Sequence, residues 1–479
     1  MPAPLLFVGI PLLLALVIHR LSARWSRPDA DERLKKSVAV LAALVAVCLA
    51  ALAVSLPLDE RVLGGRLVFS SAFTLLGRTF AIDPVGRVGL ALMFGQGALL
   101  LLAAGFVGAG RYYLQAGLAA LGLLAAALLV RPFIFAALFL ELAAVVAVLM
   151  LADETHRESR GAWRFLVFMT LAMPFILISG WLLESSAANP NEASFTFNAA
   201  LMLGVGFAIL LAVAPFQSWV PIVAENAPPL ASAFVFVVMQ QAVVFLLLAF
   251  LGAYPWLRQN PVVYRALTVI GGGMVLVGGV FAFGQRNFGR ALGYAMLMDI
   301  GAVLLGVGLE SAAGVAAVLA TLTLRGVAIT LWAIGCDQLR RVAGSDDFDS
   351  LRGLGWRYPF ASAAVIFGLL SLVGFPLTAG FPGRWALLRL LAQLHPTAAV
   401  LLLFGLASIA LVCVRGLAAL LSPRQAESAP IVPEAVQEKR GAMVVYGFGV
   451  VLVLALGAFP QWLLSMLAGA AAVFMRGGP

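Results

Sequence analysis

The chain has 479 residues, is 63% hydrophobic and 11% charged, and carries a formal net charge of +9. Its mean hydropathy is +1.04, and the charged fraction is about half that of an ordinary globular protein. The positive balance lacks the soluble basic face that nucleic-acid binding requires, and the absence of strand-like alternation excludes an outer-membrane barrel.

The first apolar run, near 4–21, has no basic leader and no small-residue cleavage site, so it reads as a retained helix. Further runs follow near 37–56, 86–107, 111–130, 132–152, 163–184, 197–214, 229–253, 264–284, 290–309, 312–336, 360–394, 398–421 and 443–470. Each is long enough to cross a hydrocarbon core, and backbone groups in lipid must be satisfied within their own segment. The fold class expected is therefore all-α and polytopic, with about fourteen transmembrane helices.

Loop charges give the orientation. Taking alternate loops, one side receives Arg20, Arg24, Arg27, Arg33, Lys35 and Lys36, then Arg111, Arg157, Arg160 and Arg164. The same side later takes Arg286, Arg290, Arg340, Arg341, Arg352, Arg357, Arg424, Lys439 and Arg440. Arg61, Arg66, Arg78, Arg87, Arg131, Arg258, Arg265 and Arg476 fall opposite, an excess better than two to one. The richer side is expected to be cytoplasmic, leaving both termini outside a prokaryotic inner membrane.

Two segments interrupt the pattern. APFQSWVPIVAENAPP, from Ala214 to Pro229, holds four prolines where a helix should be finishing. GFPLTAGFPG, from Gly374 to Gly383, divides an apolar stretch too long for one straight crossing. Pro215, Pro221, Pro376 and Gly380 are the expected helix-breaking residues. Paired interruptions mark inverted-repeat transporters, whose broken helices line an ion path; ordinary proline kinks are the plain alternative.

Cys48, Cys336 and Cys413 lie far apart in apolar runs, and His19, His156 and His395 fall at helix ends or in loops. No zinc, iron–sulfur or haem site is expected, and no nucleotide loop is present, so neither metal nor cofactor is assigned.

PFQSWVPIVAENAPPLASAF is similar to a signature of the antiporter-like membrane subunits of respiratory complex I, membrane-bound hydrogenases and Mrp-type cation/proton antiporters. DDFDSLRGLGWRYPFASAAVIFGLLSLVGFPLTAGFPGRW resembles the family's second signature, NFGRALGYAMLMDIG a third stretch, and Asp83 the aspartate that opens its third helix. The resemblance runs from about Asp83 to Leu421. It implies two inverted five-helix repeats, 111–253 and 264–421, each with a broken helix, flanked by helices 1–3 (1–110) and a last helix (443–479).

An ionisable group within a span costs several kcal/mol unless paired or hydrated. Glu141 occupies the fifth span, where the resemblance implies a glutamate that tunes a lysine on the seventh helix; a structural carboxylate is the alternative. Asp299 and Arg325 fall on adjacent helices at matched depth, roughly 14–18 Å in, and are expected to pair; whether the pair conducts or locks two helices stays open. Arg384 stands where the family has a twelfth-helix lysine, and Arg389 beyond it is placed to snorkel outward. The family's seventh-helix lysine falls here near Ala208–Leu210, its eighth-helix lysine at Gln240, and the histidine of its first signature at Gln217. Arginine and glutamine cannot replace a lysine that exchanges protons. The expected path candidates are Glu141, Asp299, Arg325, Arg384, Gln240 and Gln217, with water held by Gln217, Gln240 and Gln241.

The resemblance implies a proton- or cation-translocating membrane subunit of an NADH:quinone oxidoreductase-like or hydrogenase-like complex, with no redox chemistry of its own. The expected partners are homologous antiporter-like subunits and the lipid bilayer, with no nucleic acid. A degenerate non-conducting scaffold, favoured by the missing lysines, and a monovalent cation/proton antiporter subunit are the alternatives.

Overall fold

The computed structural model describes residues 2–25, 32–62, 67–107, 109–152, 159–188, 193–423, 438 and 440–476. Arg27, Arg66, His156, Arg157, Arg424 and Lys439 lie outside them. The described chain is almost wholly helical. In order it forms α1 (Ala3–Trp25), α2 (Glu32–Ser55), α3 (Pro84–Ala104), α4 (Tyr113–Leu129), α5 (Ala136–Leu151), α6 (Arg160–Ala188), α7 (Ala193–Leu210) and α8 (Trp219–Asn226). There follow α9 (Pro229–Ala253), α10 (Pro261–Phe283), α11 (Phe288–Gly308) and α12 (Ala312–Ala343), then α13 (Pro359–Val373), α14 (Phe381–Leu394), α15 (Pro396–Leu421), α16 (Arg440–Ala458) and α17 (Gln461–Arg476). Among the described residues, eleven helices are long and apolar enough to cross a membrane.

Local chemistry sets where these helices begin. Asp83 accepts from the Gly86 amide at 2.5 Å ahead of α3, Asn260 from Val262 ahead of α10, Asn287 from Arg290 ahead of α11, and Ser311 from Gly314 ahead of α12. Each satisfies one of the amides that a first turn leaves unbonded. Proline opens α3, α9, α10, α13 and α15, where its missing N–H has no role.

The bundle has a distinct interior. The α9 window is entirely buried and that of α11 94% buried, whereas those of α1, α6 and α16 are mostly outward. Leu13, Val17, Trp163, Val167, Val400 and Val444 stand more than half exposed, an apolar coat that only lipid or neighbouring subunits can cover. Inside, α10 and α11 meet closely because Gly271 and Gly301 face each other; a Cβ on Gly271 would stand 2.7 Å from the Gly301 carbonyl oxygen.

The structure differs from the sequence reading at four places. Short strands exist: β1 (Arg61–Val62) pairs with β2 (Leu67–Val68), and β3 (Ala72–Leu75), β4 (Arg78–Ala81) and β5 (Val130–Arg131) make a small antiparallel sheet. The β3–β4 turn places Leu76 and Gly77 at positive φ, and strands this brief leave no readable alternation. The run near 443–470 is two helices, because Phe459–Pro460 ends α16 before α17 begins. Pro221 does not break a helix: it stands in the first turn of α8, where its absent N–H is harmless. A π-helical turn, Val235–Met239, interrupts α9 without any proline or glycine to announce it.

Candidate functional site

Both expected discontinuities are present. Helix α7 stops at Leu210, Ala212 takes a left-handed φ of 56°, and a 3-10 turn over Phe216–Ser218 leads into α8. Helix α13 stops at Val373 and is capped by Gly374 at a φ of 80°. The chain resumes as α14 after Gly380, whose amide donates to the Ser371 hydroxyl at 3.1 Å. A Cβ on Gly380 would collide with the Ser371 carbonyl, so the return loop needs glycine there. Pro215 and Pro376 lie within the two interruptions.

Between the breaks, α11, α12 and α14 bring three charges together. Arg325 Nη1 lies 2.6 Å from Asp299 Oδ2, and Arg384 Nη2 contacts Asp299 Oδ1. All three side chains are at most 3% exposed. Arg384 Nε and Nη2 also reach the Leu372 carbonyl at 3.4 Å, setting a cation against the open C-terminal end of α13. One carboxylate thus holds two guanidiniums and the cluster keeps a charge of +1, with Arg325 Nε and Nη2 and Arg384 Nη1 lacking protein partners. Arg389 is exposed, apart from this cluster.

Buried amides stand on the neighbouring helices α9 and α3. Gln240 and Gln241, just past the π turn, are 2% and 0% exposed, and none of their four amide atoms has a protein partner. π turns are common where a helix carries function. Gln240 and Leu210 line one small, apolar-walled cavity of about 10 Å³, with Trp219 and Leu140. The positions where the resemblance implies the seventh- and eighth-helix lysines therefore face one space. Gln96 of α3, which sequence reading passed over, donates to the Leu322 and Thr323 carbonyls at 2.7 and 3.3 Å and lies against Gly326, beside Arg325. Its Oε1 and the Thr321 hydroxyl are also without partners. An uncharged amide in an apolar span was the available signal.

Two candidates are placed less centrally than expected. Glu141 is half-buried at the seam with α6, where Thr170 donates to its Oε1 at 2.6 Å. On α5 the residues Leu138, Leu142, Val145 and Leu149 point outward, which sets Glu141 on the border of that face and not in the interior. Its Oε2 has no partner. Gln217 is likewise half-buried, in the 3-10 turn, with Oε1 unpartnered.

Asp346, at the start of the DDFDSLRGL segment, is a clasp. It accepts from Asn287 Nδ2 at 2.7 Å and the Gly289 amide at 2.9 Å and pairs with Arg340 at 2.6 Å, while Arg340 Nη1 reaches the Ala227 carbonyl. These bonds tie the start of α11 and the end of α12 to the α8–α9 junction. A cavity of about 880 Å³ opens beside the clasp, lined by Arg111, Glu225, Arg340, Asp346 and Asp347 among others.

The candidate spans among the described residues make this a multi-pass membrane protein, and its broken helices are of the kind found in membrane transporters. Residues 133–410, more than half of the chain, match the family described as NADH:quinone oxidoreductase/Mrp antiporter, TM, and the chain belongs to that family. NADH-quinone oxidoreductase subunit N of Chromohalobacter salexigens is 34% identical over 273 residues, covering 52% of this chain and 56% of that protein. The chain spans about half the length of the curated relatives it matches. In fold it is similar to a chain of the membrane-bound sulfane sulfur reductase, an archaeal respiratory membrane complex, at a TM-score of 0.80 and 17% identity over 98% of this chain and 97% of that one. It is also similar to a chain of respiratory complex I from Thermus thermophilus, at 0.78 and 24% over 98% and 99%.

Proposed function

We propose that the chain is a proton- or monovalent-cation-translocating membrane subunit of an NADH:quinone oxidoreductase-like or hydrogenase-like complex, packed among homologous antiporter-like subunits. The observation that carries this reading is the Asp299 cluster, together with the buried, unpartnered amides Gln96, Gln240 and Gln241 on neighbouring helices. Asp299 is the one buried carboxylate inside a span among the described residues. A buried amide or guanidinium lacking protein partners needs water, and ordered water between such groups is a proton route.

Several features support the finer parts of the reading. Treating α7 with α8 and α13 with α14 as interrupted single crossings makes fourteen from α1 to α16, with α17 left aside, and one interruption falls in each proposed inverted repeat, 111–253 and 264–421. The flanking units would be 1–110 and 443–479. The cavity beside Arg111, Glu225 and Asp347 would be the cytoplasmic mouth, since Arg111, Arg340 and Arg341 belong to the richer basic side. Both termini would then face outward.

The test is proton delivery by the assembled complex in proteoliposomes carrying Glu141→Gln, Asp299→Asn or both. Translocation predicts at least a tenfold fall in pumping per electron pair for each single change while the complex still assembles. A second reading, a non-conducting scaffold, is favoured by the salt-bridged state of Asp299 and the missing lysines. Wild-type pumping in the assembled double variant would establish the scaffold and remove both carboxylates from any path.

A further inference from the structure

We infer that the Asp299–Arg325–Arg384 cluster is a binding site for one small monovalent inorganic anion of the chloride type. Arginine stays protonated in proteins, so two guanidiniums and one carboxylate leave a positive charge in the centre of the bundle. An uncompensated buried charge is among the most unfavourable features a fold can hold. Arg325 Nε and Nη2 and Arg384 Nη1 belong to guanidiniums that share one carboxylate, and none of the three has a protein partner.

A fourth, uncharged donor lies on the same helix as Arg325. Thr321 lies one helical turn before Arg325 on the same face of α12, and a Cβ on Gly383, next to Arg384, would stand 2.9 Å from its hydroxyl oxygen. That hydroxyl is buried and also unpartnered. Donors from two helices with a residual +1 fit a single negative charge. A divalent oxyanion would invert the imbalance, so the ligand is a halide-like ion and not sulfate or phosphate. Nothing in this inference depends on proton movement: the site would exist equally in a translocating subunit or a scaffold.

The experiment is equilibrium binding of ³⁶Cl⁻ to the purified detergent-solubilised complex, with gluconate holding ionic strength constant. The expected result is saturable binding, with one equivalent assignable to this subunit and competed by bromide but not by sulfate. That equivalent should vanish in Arg384→Gln, which leaves a neutral Asp299–Arg325 pair. It should weaken about tenfold in Thr321→Val, which alters no charge and removes one hydrogen-bond donor. If Arg384→Gln does not assemble, Thr321→Val decides alone. Absence of saturable ³⁶Cl⁻ binding, or an equivalent unchanged in Thr321→Val, would overturn the site and leave the donors to water.

Discussion

At the scale of single residues, charge balance governs what each substitution in the cluster does. Asp299 is the carboxylate shared by two buried cations, joined to Arg325 at 2.6 Å and also to Arg384. Asp299→Asn therefore leaves two unpaired guanidiniums and should cost about 3–5 kcal/mol. Asp299→Asn with Arg384→Gln removes one of those cations and should recover part of that loss, measured as the thermal midpoint of the detergent-solubilised complex. Additive losses in the double variant would mean that the three side chains do not act as one cluster. The pairing of Asp299 with Arg325 was legible in the sequence because both stand out against apolar helices and their depths can be counted. Gln96 was not, since an uncharged amide gives a weaker contrast. The border position of Glu141 was not legible either: α5 is apolar on all sides, so no periodicity fixes which face looks inward.

At the scale of helices, the interruptions were readable because proline and glycine act locally. A cluster such as Gly374, Pro376 and Gly380 cannot continue a regular helix whatever surrounds it. The π turn before Gln240 and Gln241 arises from packing inside an entirely buried helix, and Val235–Met239 has no composition that would mark it. The start of α13 is another tertiary device. Glu438, distant in sequence, accepts from the Ala361 and Phe360 amides at 2.9 and 3.3 Å, a carboxylate set on a helix N-terminus. Burial nevertheless pushes this carboxyl above its ordinary value of 4.5, against the two backbone bonds that lower it. The folded chain then holds the proton to higher pH than the unfolded chain. Stability is highest below the ordinary value and falls as pH rises from 4.5 through the raised one. Glu438→Gln should flatten that segment of the stability–pH profile without lowering the melting temperature at pH 7. A steeper fall with rising pH in the variant would contradict the argument.

At the scale of the whole molecule, the division between an apolar outside and a polar line inside follows from composition. A chain that is 63% hydrophobic can cover lipid-facing helices such as α1 and α16 and still fill its interior. Apart from Gln115 of α4, the buried amides and charges within its described spans then fall on the central helices α3, α9, α11, α12 and α14. The class of fold was legible from this pattern alone; the way the central helices bring Gln240 opposite Leu210 was not, because it depends on packing between distant segments.

The central claim is that water held by amides, and not a lysine relay, carries charge past α9. Gln240→Leu tests it most directly, since the change removes two buried polar atoms that have no protein partner and should leave folding unharmed or improved. Proton delivery by the assembled Gln240→Leu complex should fall at least tenfold while electron transfer and assembly persist. Delivery at the wild-type rate would contradict the account.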